Sequence, residues 1–141
     1  MEFPQERRRF KRYAVCLPIQ YQREYGLSRD RSITINVSEG GMLISARRLI
    51  DIAASILLKF LLRHEDFFLR GRVVHVQRTD DFNPYSVGVE FLARPQSFIR
   101  RLYEELEILM LYQRQCNEEL GAEISLTEAS VRWYRTSREW M

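Results

Sequence analysis

The sequence contains little cysteine, glycine or proline: two, six and four residues, respectively, in a chain of 141. Cys16 and Cys116 lie a hundred positions apart. They form neither a CxxC pair nor a disulfide framework, which favours a reducing, cytoplasmic compartment. With 45% hydrophobic and 12% aromatic residues, the composition excludes disordered, low-complexity and collagen-like chains. It indicates instead one folded domain with an ample buried core.

The sequence also lacks a long hydrophobic run. Its longest apolar stretches, Ile56–Leu58 and Phe60–Leu62, are separated by Lys59 and fall far short of the ~20 residues that span a bilayer. The first ten residues, MEFPQERRRF, have no apolar core of the kind that a signal peptide requires. We therefore expect a soluble cytoplasmic protein that does not insert into a membrane.

Patterns that mark catalytic sites are missing as well. GxSxG, Walker A and Rossmann glycine motifs do not occur. His64 and His75 have no cysteine or carboxylate partners at metal-ligand spacing, and His75 in its strand faces either a ligand or solvent. The acidic pairs are predicted to be solvated charges in a turn or on helix surfaces: Asp80-Asp81, Glu104-Glu105 and Glu118-Glu119. We expect a protein that is not an enzyme and holds no metal or cofactor.

Positive charge is concentrated near the N-terminus. The net charge is +3, but residues 1–48 carry ten basic and five acidic side chains, and the remainder carries twelve basic and fourteen acidic ones. Five of those ten cations fall between Arg7 and Arg12. An anionic partner is therefore expected at this end of the chain.

The hydrophobic pattern indicates strands up to about Leu92. Val15, Leu17, Ile19 and Tyr21 alternate with more polar positions, which is the period of a strand. Turn signals separate five further β-rich runs: Ser32–Val37, Met42–Ser45, Ile56–Leu62, Phe67–Val76 and Tyr85–Phe91. Six strands at this spacing predict a small closed antiparallel barrel, because closure removes exposed strand edges.

The period becomes helical after Ala93. Apolar residues recur at spacings of three and four from Phe98 to Cys116, and the helix is predicted to end at Gly121. The capping-box sequence Ser125–Glu128 starts a second predicted helix, which runs from Leu126 to Glu139. Trp133 and Tyr134 lie within this helix, and Trp140 directly follows it. Two interpretations of these helices stay open: they pack on the barrel, or they form a surface for self-association or a protein partner.

Two short motifs carry chemistry. Arg8, Arg9 and Arg12 form RRxxR, whose guanidinium groups suit phosphate oxygens and guanine edges. Residues 36–41, NVSEGG, fit [D/N]xSxxG at a junction between strands, where Asn36 and Ser38 share one face and glycine permits a tight turn. Taken alone, the first motif is more often a solvated charge run and the second a capped turn.

Together, in this order and spacing, the motifs resemble the PilZ domain, a bacterial receptor for cyclic di-GMP. The run Val87–Phe91, VGVEF, resembles the closing strand of that family, and the resemblance covers about residues 5–95. It implies a six-stranded antiparallel β-barrel with its N-terminal arginine arm over residues 5–95, followed by a C-terminal helical extension over residues 96–141. The ligand-binding residues that it implies are Arg8, Arg9, Arg12, Asn36, Ser38 and Gly41.

The resemblance also implies a role for each of these residues. The arginines would contact guanine edges and phosphates, Asn36 and Ser38 would bond to a guanine, and Gly41 would keep the turn close to the ligand. Asn36 stands where many members have Asp, which puts tight affinity in doubt.

The function expected is a non-enzymatic receptor or adaptor. It would relay cyclic di-GMP binding to a protein partner, or to a second copy of itself, through ordering of the arm and through residues 96–141. Two alternatives stay open: an adaptor that works without the nucleotide, and a small basic barrel that binds nucleic acid through its arm.

Overall fold

The structure is a computed structural model that describes residues 10–26 and 28–137. The first three strands are β1 (Pro18–Arg23), β2 (Asp30–Val37) and β3 (Gly41–Ala46). The next three are β4 (Ser55–Leu62), β5 (Glu65–Arg78) and β6 (Tyr85–Phe91). Two helices follow, α1 (Gln96–Leu120) and α2 (Leu126–Ser137).

The six strands form a closed barrel in the order β1-β2-β3-β6-β5-β4, and every neighbouring pair is antiparallel. The β1–β4 pair, in which Ile19 lies opposite Phe60, closes the ring. The predicted six-stranded antiparallel barrel with C-terminal helices is therefore confirmed. Closure leaves no long unpaired edge among these strands.

Alternation of inward and outward side chains along most of the strands builds the core. In β4 every second side chain points inward and is at most 1% exposed: Ile56, Leu58, Phe60 and Leu62. Lys59, between them, faces outward and pairs with Asp66 across the β4–β5 hairpin at 3.6 Å. The same alternation holds in β1, β3 and most of β5, whereas β2 and β6 depart from it. The inward side chains of all six strands fill the barrel with a packed hydrophobic core.

The first strand begins three residues later than the alternation predicts, at Pro18 instead of Val15. Thr34 explains the difference, because its hydroxyl donates to the Val15 carbonyl and accepts the Leu17 N–H. The Cys16 N–H is bonded at 3.0 Å to the hydroxyl of Ser130 in α2. Side chains therefore satisfy backbone groups that a strand ladder would otherwise have paired.

Helix α1 closes one end of the barrel with its apolar stripe. Phe98 is fully buried, and its ring lies 5.2 to 6.1 Å from those of Phe60, Phe67 and Phe91. The helix ends as predicted, with Gly121 in the left-handed conformation at φ +64° and its N–H bonded to a carbonyl of the last turn. The barrel and α1 thus share one core. The helix begins at Gln96, where the sequence predicts that the helical extension starts.

Helix α2 packs against α1 and the segment that precedes β1. Its predicted N-terminal cap is confirmed, since the Ser125 hydroxyl accepts the Glu128 N–H at 3.0 Å. The Trp133 ring lies edge-on to Tyr112 of α1 at 5.3 Å, and Tyr134 is buried. Trp140 and the predicted helix end at residue 139 lie outside the described residues.

One predicted surface charge is buried. Glu104 is half-exposed as expected, but the prediction of a solvated carboxylate is wrong for Glu105, which is 2% exposed. Glu105 accepts hydrogen bonds from the Arg63 N–H at 3.1 Å and from the Tyr134 hydroxyl. The buried carboxylate thus ties the β4–β5 turn to both helices, which explains why it tolerates burial.

Three further features concern the described part of the chain. Cys16 and Cys116 are both buried and free. Neither described helix is long and apolar enough to cross a membrane. Within residues 10–26 and 28–137, no group of three or more His, Cys, Asp or Glu side chains is placed to hold a metal ion.

Candidate ligand site on the barrel surface

The turn between β2 and β3 is built by Ser38. Its N–H donates to the Gly41 carbonyl at 2.8 Å, and its hydroxyl accepts the Gly40 N–H at 3.2 Å. The same hydroxyl lies 3.4 Å from the Gly41 carbonyl. Hydroxyl-to-backbone bonds of this kind are typical of turns that begin with Ser or Thr. The Ser38 side chain is therefore buried in the turn rather than projecting from it.

Close approach of neighbouring chain segments accounts for both glycines of this turn. A Cβ on Gly41 would lie 2.2 Å from the carbonyl oxygen of Val89 in β6, so no side chain fits there. A Cβ on Gly40 would lie 3.0 Å from the ring of Phe10 in the N-terminal segment. Gly41 thus has a packing reason to be glycine that is independent of any ligand, and Gly40 makes room for the N-terminal segment.

The N-terminal segment runs beside the end of β2. Tyr13 and Val37 exchange two backbone hydrogen bonds, of 2.8 and 3.0 Å, in an isolated antiparallel bridge. This bridge brings the preceding Arg12 to the outer face of β2, where its guanidinium donates to Asn36 Oδ1 at 3.3 Å. The two residues are 24 positions apart in the chain and come from the two different motifs.

Phe10 holds the start of this segment in place. Its ring lies against Gly40 on one side, and the Arg94 guanidinium stacks over it at 4.6 Å from the ring centre. Lys11 lies over the Tyr13 ring at 5.1 Å. Three cations, Lys11, Arg12 and Arg94, therefore lie on or against the N-terminal segment beside the turn. They give this surface positive charge, which favours an anion.

A tyrosine of α1 also reaches the turn. The Tyr103 hydroxyl donates to Glu39 Oε2 at 2.6 Å, and its ring is edge-on to Tyr13 at 6.3 Å. The hydrogen bond to Glu39, followed by burial and the carboxylate charge, raises the pKa of Tyr103 to about 12. Glu39 is thus held against the helix, and its charge is partly balanced by the hydroxyl dipole.

The outer face of the barrel continues from Asn36 as a row across four strands. Asn36 pairs with Leu43, Leu43 with Gly88, and Gly88 with His75. Gly88 has no side chain, and a Cβ there would lie 3.1 Å from the Cβ of the exposed His75, so His75 packs closely over this strand beside the half-buried Leu43. The row offers an amide, an apolar side chain and an imidazole to a flat ligand lying on the sheet.

The structure brings together four of the six predicted ligand-binding residues. Arg12 and Asn36 are hydrogen-bonded to each other, and Ser38 and Gly41 form the adjoining turn. Arg8 and Arg9 lie outside the described residues. Sequence reasoning missed three residues at this surface: Phe10, Arg94 and Tyr103. Their contacts join distant positions, such as Tyr103 with Glu39, 64 positions apart, and with Tyr13, farther still along the chain, and no motif spacing signals them.

Solved structures of known proteins share the fold. The Bacillus subtilis inhibitor of motility MotI/DgrA matches with a TM-score of 0.58 and 20% identity, over 78% of this chain and 52% of that one. The PilZ domain of Escherichia coli YcgR with c-di-GMP matches with a TM-score of 0.57 and 16% identity, over 82% and 98%. The K. pneumonia MrkH–c-di-GMP complex matches with a TM-score of 0.58 and 16% identity, over 76% and 53%.

The chain therefore spans about half the length of the MotI/DgrA and MrkH chains, and nearly all of the YcgR domain. No curated protein matches the sequence. The family model of the PilZ domain matches residues 6–106, which include the whole barrel and the first turns of α1. Since this match covers most of the chain and the barrel has the same fold, the chain belongs to the PilZ domain family.

Proposed function

We propose that the chain is a bacterial, cytoplasmic receptor for cyclic di-GMP, which binds the nucleotide without transforming it and relays binding to a protein partner. The observation that carries the proposal is the 3.3 Å hydrogen bond between Arg12 and Asn36, which joins the two motifs on the outer face of the barrel. The matched YcgR and MrkH structures, which share the fold, are complexes with c-di-GMP.

Cyclic di-GMP offers guanine edges and phosphate oxygens, and the site residues suit both. Arg12 presents paired N–H donors to a phosphate or to guanine O6 and N7. Asn36 Oδ1, which now accepts from Arg12, would accept a guanine N–H when Arg12 turns to the ligand. Arg8 and Arg9, on the same arm, would add charge against the dianion.

Ser38 and Gly41 contribute through the turn. The Ser38 hydroxyl bonds within the turn and keeps an acceptor lone pair for a guanine N–H. Gly41 keeps β3 close to β6 and so holds the turn in the position from which it would face the ligand. Both roles depend on the shape of the turn as much as on direct contact.

The relay is proposed to run from the arm to the C-terminal helices. Just after Arg12, the Ala14 carbonyl accepts from Thr127 at 2.8 Å, and the Cys16 N–H donates to Ser130 at 3.0 Å. Both partners belong to α2. A shift of the arm on binding would therefore move these bonds and, with them, the helix.

Residues 96–141 are proposed to present the surface for a protein partner or for self-association. Leu111 and Leu120 of α1 are 56% and 51% exposed although neighbouring apolar residues are buried in the core. Exposed apolar side chains beside a packed helix pair are typical of an interaction surface.

Calorimetric titration with cyclic di-GMP tests the proposal. Arg12→Ala and Asn36→Ala should weaken binding by about tenfold or more, because each removes hydrogen bonds to a charged or buried polar ligand group. Arg135→Ala, at an exposed arginine of α2, is the matched control and should bind like the native chain.

Other outcomes would favour other functions. Unchanged binding by Arg12→Ala would contradict the site. No binding by the native chain at near-millimolar ligand would favour an adaptor that works without the nucleotide. Retention on single-stranded DNA at physiological salt, without competition by cyclic di-GMP, would favour a nucleic-acid-binding barrel.

A further inference from the structure

Tyr103 contacts both segments that form the proposed site, although it belongs to α1. Its hydroxyl bonds at 2.6 Å to Glu39, in the turn between β2 and β3. Its ring lies edge-on to Tyr13, at 6.3 Å between centroids and 86° between planes. Tyr13 directly follows Arg12 and is bridged to Val37. One helix side chain therefore links the arm to the turn.

The bond to Glu39 is of a kind that fixes geometry. A hydroxyl donating to a carboxylate forms a short, charge-assisted hydrogen bond. The bond raises the pKa of Tyr103 to about 12, so the hydroxyl stays a donor well above neutral pH. Glu39 is the neighbour of Ser38, so the position of the helix and the shape of the turn depend on each other.

We infer that Tyr103 is a positioning residue of the ligand site and that it couples the N-terminal half of α1 to ligand binding. This inference rests on the proposed function. A ligand held by both Arg12 and the turn would fix the distance between the arm and the turn. Tyr103 depends on the same distance, because it contacts Tyr13 of the arm and Glu39 of the turn. This coupling is reciprocal: if a position of the helix strengthens ligand binding, then ligand binding stabilises that position of the helix by the same free energy.

The test compares two Tyr→Phe variants on one helix. Tyr103→Phe removes the bond to Glu39 but keeps the ring against Tyr13, and should weaken cyclic di-GMP binding by about fivefold, the low end of coupling between sites. Tyr112→Phe is the matched control, because its ring packs on Trp133 at 5.3 Å and its hydroxyl bonds within α1. It should bind like the native chain.

Glu39 variants separate positioning from a general loss of structure. Glu39→Gln keeps a carbonyl acceptor for Tyr103 and should bind within about twofold of the native chain, whereas Glu39→Ala should match Tyr103→Phe. The double variant Glu39→Ala/Tyr103→Phe should bind no more weakly than either single variant, since all three lack the same bond.

Backbone amide NMR shifts supply the reciprocal readout. Cyclic di-GMP should shift α1 amides around Tyr103 in the native chain, and these shifts should shrink in Tyr103→Phe. Native-like affinity in Tyr103→Phe, or additive losses in the double variant, would overturn the inference while the proposed function stands. A native chain that does not bind cyclic di-GMP would overturn both.

Discussion

Replacing Gly41 by alanine tests whether this glycine is required by the barrel itself. The Gly41 Cα lies opposite Glu90 in the β3–β6 ladder, beside the turn that Ser38 builds. A ligand-only role would leave the free energy of unfolding unchanged. The close approach of β3 to β6 instead predicts a loss of stability in the absence of any ligand.

The size of that loss follows from the contact. An alanine Cβ would lie 2.2 Å from the Val89 carbonyl oxygen, well inside the 3.4 Å at which ordinary contacts begin. Because a backbone oxygen cannot rotate away, the strands must separate, and overpacking of this kind costs about 1–3 kcal/mol. Separation also weakens the bond from the Phe91 N–H to the Gly40 carbonyl, at about 1 kcal/mol. We expect a total loss of about 3 kcal/mol.

Urea denaturation measures this loss directly. With a slope of about 1.5 kcal/mol per molar, the midpoint of Gly41→Ala should fall by about 2 M. Gly40→Ala is the matched control, because its Cβ would meet only the Phe10 ring at 3.0 Å, and a side chain can shift. Its loss should stay below about 1 kcal/mol. A native midpoint for Gly41→Ala would refute the packing argument.

Two further predictions concern stability. Glu105→Ala should lower the free energy of unfolding by about 3 kcal/mol in urea, because the Tyr134 hydroxyl and a backbone N–H lose their buried acceptor, whereas Glu104→Ala should change it by less than about 0.5 kcal/mol. The pKa of Tyr103 is raised to about 12 by its bond to Glu39, so that the stability from this bond is complete below about pH 10 and is lost as pH rises toward 12. The stability difference between the native chain and Tyr103→Phe, measured by denaturation, should therefore be constant below about pH 10 and shrink between about pH 10 and 12.

Contrary results would be equally specific. Equal losses in Glu104→Ala and Glu105→Ala would mean that the buried carboxylate does not tie the helices to the barrel. A stability difference between the native chain and Tyr103→Phe that stays constant with pH would mean that Tyr103 does not hold its proton through Glu39.

The barrel could be predicted because buried positions alternate with more exposed ones along most of its strands, as in β1, β3 and β4. The bounds predicted for the last strand, Tyr85–Phe91, agree with those of β6. The start of β1 could not be predicted from alternation, since the Cys16 N–H is satisfied by Ser130, 114 positions away. Such bonds depend on how α2 packs, and no local pattern contains that information.

The same limit applies to the candidate site. The two motifs predicted that Arg12 and Asn36 would lie together, and the structure joins them through the Tyr13 bridge. Glu105 follows the half-exposed Glu104 in a helix, and only the packing of Tyr134 over it explains its burial. The contact of Tyr103 with the turn likewise arises from tertiary packing rather than from spacing in the sequence.

Amide NMR of the full chain during addition of cyclic di-GMP tests the central claim most directly. The account predicts saturable shifts at Arg12 and at residues 36–41, with smaller shifts along the N-terminal half of α1. Shifts confined to the loops at the opposite end of the barrel, at residues 24–26, 28–29, 47–54 and 79–84, would contradict the site, and a spectrum that does not change would contradict the proposed function.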